Sequence, residues 1–154
     1  MKLITPILLS LAVLSQPTNA SELSDNASNA GKAIVQEVAK ITKAHYGCTA
    51  DVNQGGFVKD DLAIFWVVEV QCDRRTAIID RIYTVQPQAK GSEWTVTQKI
   101  DVGHHPDFTA TSIKIDGDSI KIEGYNLQQK RVQRTLDIVQ KKSAYDSFLT
   151  ITLD

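Results

Sequence analysis

The stretch that decides the fold reads LAIFWVVEVQ at 62–71, CDRR at 72–75 and TAIIDRIYTV at 76–85. Two runs rich in Ile, Val, Phe, Trp and Tyr flank a polar turn. They are too short and too branched for a helix and suit a half-buried pleated surface, so they predict a central β-hairpin. With Asp73-Arg74 as a two-residue turn, Leu62, Ile64, Trp66, Val68, Val70 and Cys72 share a face with Ala77, Ile79, Tyr83 and Val85. That face is the expected core. The other face mixes Phe65, Val67, Ile78 and Ile82 with Glu69, Gln71, Asp80 and Thr84, and a turn longer or shorter by one residue exchanges the two faces of one strand.

Upstream of the hairpin, Ala30, Ile34, Val38, Ile41 and His45 recur at steps of three and four. They form one apolar stripe of an amphipathic helix over 25–46. Gly47 is placed to stop it, and Ser21 to Asn29 reads as a polar lead-in. Downstream, Trp94, Val96, Ile100 and Val102 alternate with polar residues. Around Asp116-Gly117, Ile113, Ile115, Ile120 and Ile122 fall on one side of a hairpin and Lys114 and Lys121 on the other. Val132, Leu136 and Ile138 form a further alternating set that Arg134 interrupts, and Phe148 to Leu153 ends the series. The expected architecture is α+β: an N-terminal helix packed on a curved, mostly antiparallel meander sheet of about seven strands, with a β-sandwich carrying a peripheral helix as the alternative.

The first twenty residues carry the pattern of an export signal: Lys2, an apolar run from Leu3 to Leu14, and Ala20 as a small residue before the cut. The run is shorter than the roughly 20 residues a membrane-spanning helix needs. Residues 1–20 are therefore expected to be a cleaved signal peptide, 21–154 a single domain in the periplasm or outside the cell, and no stable membrane anchor to remain after cleavage. Lys and Arg total 17 against 18 Asp and Glu, a balance that gives no electrostatic reason to expect nucleic acid as a partner. Cys48 and Cys72 are expected to form a disulfide, because an oxidising compartment pairs cysteines and no C-x-x-C spacing suggests redox work.

Chemistry is sparsely marked. His104-His105-Pro106-Asp107 is the one cluster with metal-ligand or general-base character, and alternation in an extended chain sends adjacent histidines to opposite sides. Asp60-Asp61 reads as a polar turn. Glu69 and Asp80 are expected near each other on the less apolar hairpin face, with Arg81 opposite. Phosphate-binding glycine loops and G-x-S-x-G are absent from the sequence. Arg74 and Arg75 at the hairpin tip, with Arg131 and Arg134 on the late strand, are the candidate partner-binding residues, since arginine is favoured at interfaces.

The sequence thus favours a small exported binding module without cofactor or catalytic residues, acting on a protein partner as an inhibitor or immunity-type protein. A carrier with an apolar cavity walled by Trp66, Tyr83 and Trp94 is the first alternative. A metal-dependent hydrolase using His104, His105 and Asp107 is the second.

Overall fold

The computed structural model describes residues 20–44, 48–59, 61–71, 77–88, 93–142 and 147–153. His45, Gly47, Asp60, Cys72, Arg74, Arg75 and the export signal up to residue 19 lie outside the described residues. Helix α1 (Ala20–Ala44) begins five residues before the expected start. The polar stretch from 21 to 29 holds no Gly or Pro, and Ser, Asp and Asn cost only tenths of a kcal/mol each in extending a helix already nucleated downstream. Its apolar stripe is as expected: Ala30, Ala33 and Ile34 are buried, and Val38 and Ile41 pack beside them.

The strands are β1 (Thr49–Lys59), β2 (Leu62–Gln71), β3 (Ala77–Pro87), β4 (Trp94–His104), β5 (Phe108–Asp116), β6 (Ser119–Asn126), β7 (Arg131–Lys142) and β8 (Ser147–Leu153). The α+β class with an N-terminal helix on antiparallel meanders holds. The eight strands divide into two four-stranded sheets, β1-β2-β3-β4 and β5-β6-β7-β8. One face of the first sheet carries α1, and the other packs on the second sheet, so the chain builds three layers.

The pairing of β2 with β3 corrects the expected facing. Gln71 pairs with Ala77 and Trp66 with Ile82, so the connection spans 72–76 instead of two residues. The return strand is accordingly turned over. Ile82 joins Leu62, Ile64 and Trp66 against the second sheet, while Tyr83 and Val85 join Ala63 and Val67 under the helix. Both faces are covered over their apolar parts, one by α1 and one by β5–β8.

A bulge resolves the alternation of β4. Thr84 pairs with Gln98 but Val85 pairs with Val96, which leaves Thr97 as the extra residue and inverts the strand beyond it. Trp94 and Val96 therefore pack under the helix, whereas Ile100 and Val102 face the second sheet. In the second sheet the expected facing holds. Ile113 pairs with Ile122, Ile115 with Ile120 and Lys114 with Lys121, around a turn in which Gly117 has φ 59°.

The chain passes from one sheet to the other at a corner, residues 104–108, that includes a cis His105-Pro106 bond. Phe108, 1% exposed, is wedged there between two backbones. A Cβ on Gly103 would lie 2.7 Å from the Phe108 ring and 2.9 Å from its carbonyl oxygen; one on Gly124 would lie 2.6 Å from the ring and overlap the Thr109 carbonyl. From this corner β5 runs across the first sheet, touching β3 at Ala110 and β1 where Ile115 nears Gly56. At the far side, Gln98 of β4 works as a surrogate strand: its Oε1 accepts from Ile151 N at 2.9 Å and its Nε2 donates to Ile151 O at 3.5 Å.

These contacts separate three glycines. Gly124→Ala and Gly103→Ala are expected to lose about 1–3 kcal/mol or more through overpacking. Gly56→Ala, whose added Cβ would meet only Ile115 at 3.7 Å, should be neutral within about 0.5 kcal/mol. Urea denaturation of the three variants checks the order; equal midpoints would count against the corner packing.

Candidate functional site

Two clusters of polar side chains lie one on each face of the first sheet, and the second reaches solvent at Lys99, Asp101 and His104. Between the sheets stands Asp80, 1% exposed. Its Oδ1 accepts from the Trp66 indole Nε1 at 3.0 Å and its Oδ2 from the Ala110 backbone N–H at 2.8 Å. His105 Nε2 lies 2.9 Å from Oδ2. Since both Asp80 oxygens already accept, the ring nitrogen is assigned as the donor. His105 is held from the other end as well, its backbone N–H donating to Ile78 O at 2.9 Å.

A histidine braced by a buried carboxylate is two-thirds of a nucleophilic triad. Among the described residues no hydroxyl or thiol is hydrogen-bonded to His105. The geometry of the pair does what a structural tie requires: one carboxylate receives donors from β2, from the corner and from β5.

Under the helix runs a second row. Arg81 bonds Glu69 with one guanidinium nitrogen and Asp101 Oδ1 at 2.5 Å with Nε. His104 Nε2 lies 3.4 Å from the other Asp101 oxygen. Lys99 bonds Glu37 of α1 and sits 5.4 Å above the Tyr83 ring. Glu69 Oε1 and Tyr83 Oη are buried without a hydrogen-bond partner among the described residues. The flipped strand thus puts Glu69 beside Arg81 and sends Asp80 to the opposite face, the reverse of the arrangement expected from sequence.

The row titrates in two senses. Burial pushes the Glu69 carboxyl above the usual glutamate range, and the Arg81 charge offsets this only in part. The Lys99 hydrogen bond holds Glu37 below that range.

The predicted site residues are dispersed. His105 turns to Asp80 and His104 to Asp101, while Asp107 is exposed in the corner turn. Among the described residues no group of three or more His, Cys, Asp or Glu is placed to hold a metal ion. Trp66 lies between the sheets, whereas Tyr83 and Trp94 lie under the helix, so the three do not wall a common chamber. A cleft of about 60 Å³ opens between the β1 and β5 edges, lined by Gln54, Gly56, Trp66 and Ile115 among others. That is room for one or two water molecules.

Arg134 falls on the inward row with Leu136. Its guanidinium lies 4.0 Å from the Phe108 ring centroid and donates to Val102 O, which commits it to the corner. Arg131 is on the outer row, paired with Glu123 at 2.6 Å. Cys48 is buried at the start of β1, and its expected partner lies outside the described residues.

Sequence reasoning passed over the turn between β6 and β7. Tyr125 is 44% exposed and Leu127 61%. The signal that could have found them is the Asn at 126, a residue that folds its side chain back onto the following backbone.

Two tests address these clusters. Asp80→Ala should cost about 2–4 kcal/mol, because it strands buried donors, with Asp80→Asn costing less; equal stability to the parent would overturn the tie. As pH rises from about 3 to 7, Glu69→Gln should gain stability relative to the parent. A raised folded pKa contributes below the unfolded value and is lost above the folded one. Glu37→Gln should lose stability over the same range, since a depressed pKa contributes above the unfolded value and is lost as pH falls. Urea midpoints at several pH values check both signs.

No helix among the described residues is long and apolar enough to cross a membrane. Compared with known proteins, the chain matches no family model, no curated protein and no solved structure.

Proposed function

We propose that the protein is a small exported module that binds another protein, of the inhibitor or immunity type, and performs no chemistry of its own. The observation that carries this reading is the β6–β7 turn, which displays Tyr125 and Leu127 to solvent on a pinned backbone. A rigid support spares the partner complex the ordering cost of a flexible loop. Tyrosine and arginine are the residue types that recur where binding energy concentrates, and Arg131 stands across the strand pair from Tyr125. Asp80, His105 and Arg134 support the same reading, since each is engaged in joining the two sheets, and Arg81 is held by Glu69 and Asp101 within the first sheet.

Export and a Cys48–Cys72 disulfide belong to this proposal. Non-reducing mass analysis of the secreted chain should find no free thiol, and Cys48→Ser should cost about 3–4 kcal/mol. Free thiols in the exported protein would remove that part of the reading.

The function itself is tested by affinity capture with the tagged, exported chain from the envelope and medium of the producing cells. One protein should be retained in stoichiometric amount and lost with Leu127→Asp. Retention of none overturns the binding-module reading.

A further inference from the structure

The outer strands of a sheet carry N–H and C=O groups with no ladder partner, and natural sheets guard such edges with bulges, charges or proline. Among the described residues the edge strands are β1, β4, β5 and β8. Three of them are guarded. Gln98 engages both backbone groups of Ile151 in β8. The Thr97 bulge breaks β4, which also carries Lys99 and Asp101. β5 has an irregularity between Ala110 and Ser112, gives the Ala110 N–H to Asp80, and bears Lys114 and Asp116.

β1 differs. From Val52 to Val58 it reads VNQGGFV, with no charge and no proline. Its irregularities fall at the two ends of that run, while Gln54, Gly55, Gly56 and Phe57 keep one register with Trp66, Phe65, Ile64 and Ala63. No backbone hydrogen bond leaves its outer side among the described residues. Packing demands Gly55, since a Cβ there would lie 2.5 Å from the Phe65 ring, whereas a Cβ on Gly56 would meet only Ile115, at 3.7 Å. Glycine weakens a strand, and one that packing does not demand fits a place where another backbone comes close. Beside Gly56 opens the cleft lined by Gln54, Ile64, Trp66, Ile113 and Ile115. Ile115, 37% exposed, flanks the edge on the sandwich side; Val52, 41% exposed, flanks it on the helix side, where it pairs with Val67.

We propose that the β1 edge accepts an extended, uncharged segment of another protein as an added strand, with an apolar side chain of that segment entering the cleft beside Gly56. The edge itself selects this occupant. Its free amides and carbonyls are met by an extended backbone, and the adjoining cleft reads one side chain of it. A charge laid on the uncharged run would lose water without gaining a partner. A second copy of this chain fits less well: paired across a two-fold axis, its β1 turns Gln54 and Gly56 of the regular run to the sandwich side, and neither supplies an apolar side chain. The proposal rests on the binding-module reading only in taking a protein as the source of the strand.

The probe is a synthetic peptide alternating valine and threonine, with one lysine at each end, added to the full chain. Amide hydrogen exchange followed by NMR should slow at alternate residues between Val52 and Val58, saturably, at millimolar peptide. N-methylation of one alternate set of peptide amides should weaken binding about tenfold, and of the other set by no more than about twofold, because a strand pairs through one edge. Gly56→Val should keep the thermal midpoint and weaken binding about tenfold by filling the cleft. Gln54→Lys should weaken it by a similar factor, as edge lysines do, and Gln133→Lys on the outer face of the second sheet should leave it unchanged. Leu127→Asp, in the turn that Asn126 Oδ1 pins by accepting from the N–H groups of Gln128 and Lys130, should also leave it unchanged, so the edge and the β6–β7 turn fail separately.

Absence of binding at millimolar peptide, or protection that maps away from β1, overturns the edge as a strand acceptor. Binding that both methylated peptides retain overturns the strand pairing, and binding that Gly56→Val retains overturns the cleft. A dimer in sedimentation equilibrium that Gln54→Lys dissolves assigns the edge to a second copy and overturns the partner strand.

Discussion

A carboxylate buried between two sheets is costly unless every lone pair facing the interior is met, and the position of Asp80 is governed by that condition. Its three donors come from three places in the chain: the Trp66 indole of β2, the His105 ring of the corner and the Ala110 amide of β5. Meeting them together fixes how far β5 lies from β3, which way the corner turns and where Trp66 can point. The packing around Phe108 is complementary. Gly103 and Gly124 let two backbones close on the ring, and Arg134 covers it while donating to Val102 O. Polar ties and close packing thus converge on the one place where the chain changes sheets.

The two faces of the first sheet are built on different terms. Against β5–β8 it presents Leu62, Ile64, Trp66, Ile82 and Val102 to a set of isoleucines, with Asp80 fully bonded. Against α1 it presents Ala63, Val67, Tyr83, Val85 and Trp94, which meet Ala30, Ala33 and Ile34 of the helix, and a row of charges running from Glu69 through Arg81 to Asp101. Tyr83 Oη and Glu69 Oε1 are buried there without a bond among the described residues. An unmet polar atom lowers the return on burial. Among the described residues the sandwich is therefore the better-satisfied interface.

What the sequence made legible tracks how little freedom each connection leaves. The facing of the isoleucine hairpin at 113–122 could be read because any even loop length at Asp116-Gly117 puts the same four isoleucines on one side. The central hairpin could not, since a polar stretch such as Cys72-Asp73-Arg74-Arg75-Thr76 suits turns of several lengths and side-chain identity does not choose among them. The β4 bulge at Thr97 carries no mark in the residues, so even-numbered apolar positions looked like one face and serve two. Asp80 read as a solvated strand position because the rule for half-buried sheets assigns acids to water; its indole donor is remote in sequence. Tyr125 and Leu127 were passed over because no spacing in the sequence marks apolar residues at a strand end as exposed. The candidate contact surface thus became visible only with the turn geometry, while the metal-like cluster visible in the sequence is divided by the structure between Asp80 and Asp101.

Among the described residues, the backbone ladder of each strand pairs it only with its neighbours in the chain. All ladder bonds therefore close short loops, the cheapest kind in chain entropy, and the residues up to the corner can complete their sheet before those beyond it exist in ordered form. What neither half can supply is a cover for its own apolar face. For a chain that emerges from its N-terminus during synthesis, this divides the work of folding into two local steps and one late encounter, in which the corner at His105 acts as the hinge that delivers one sheet to the other.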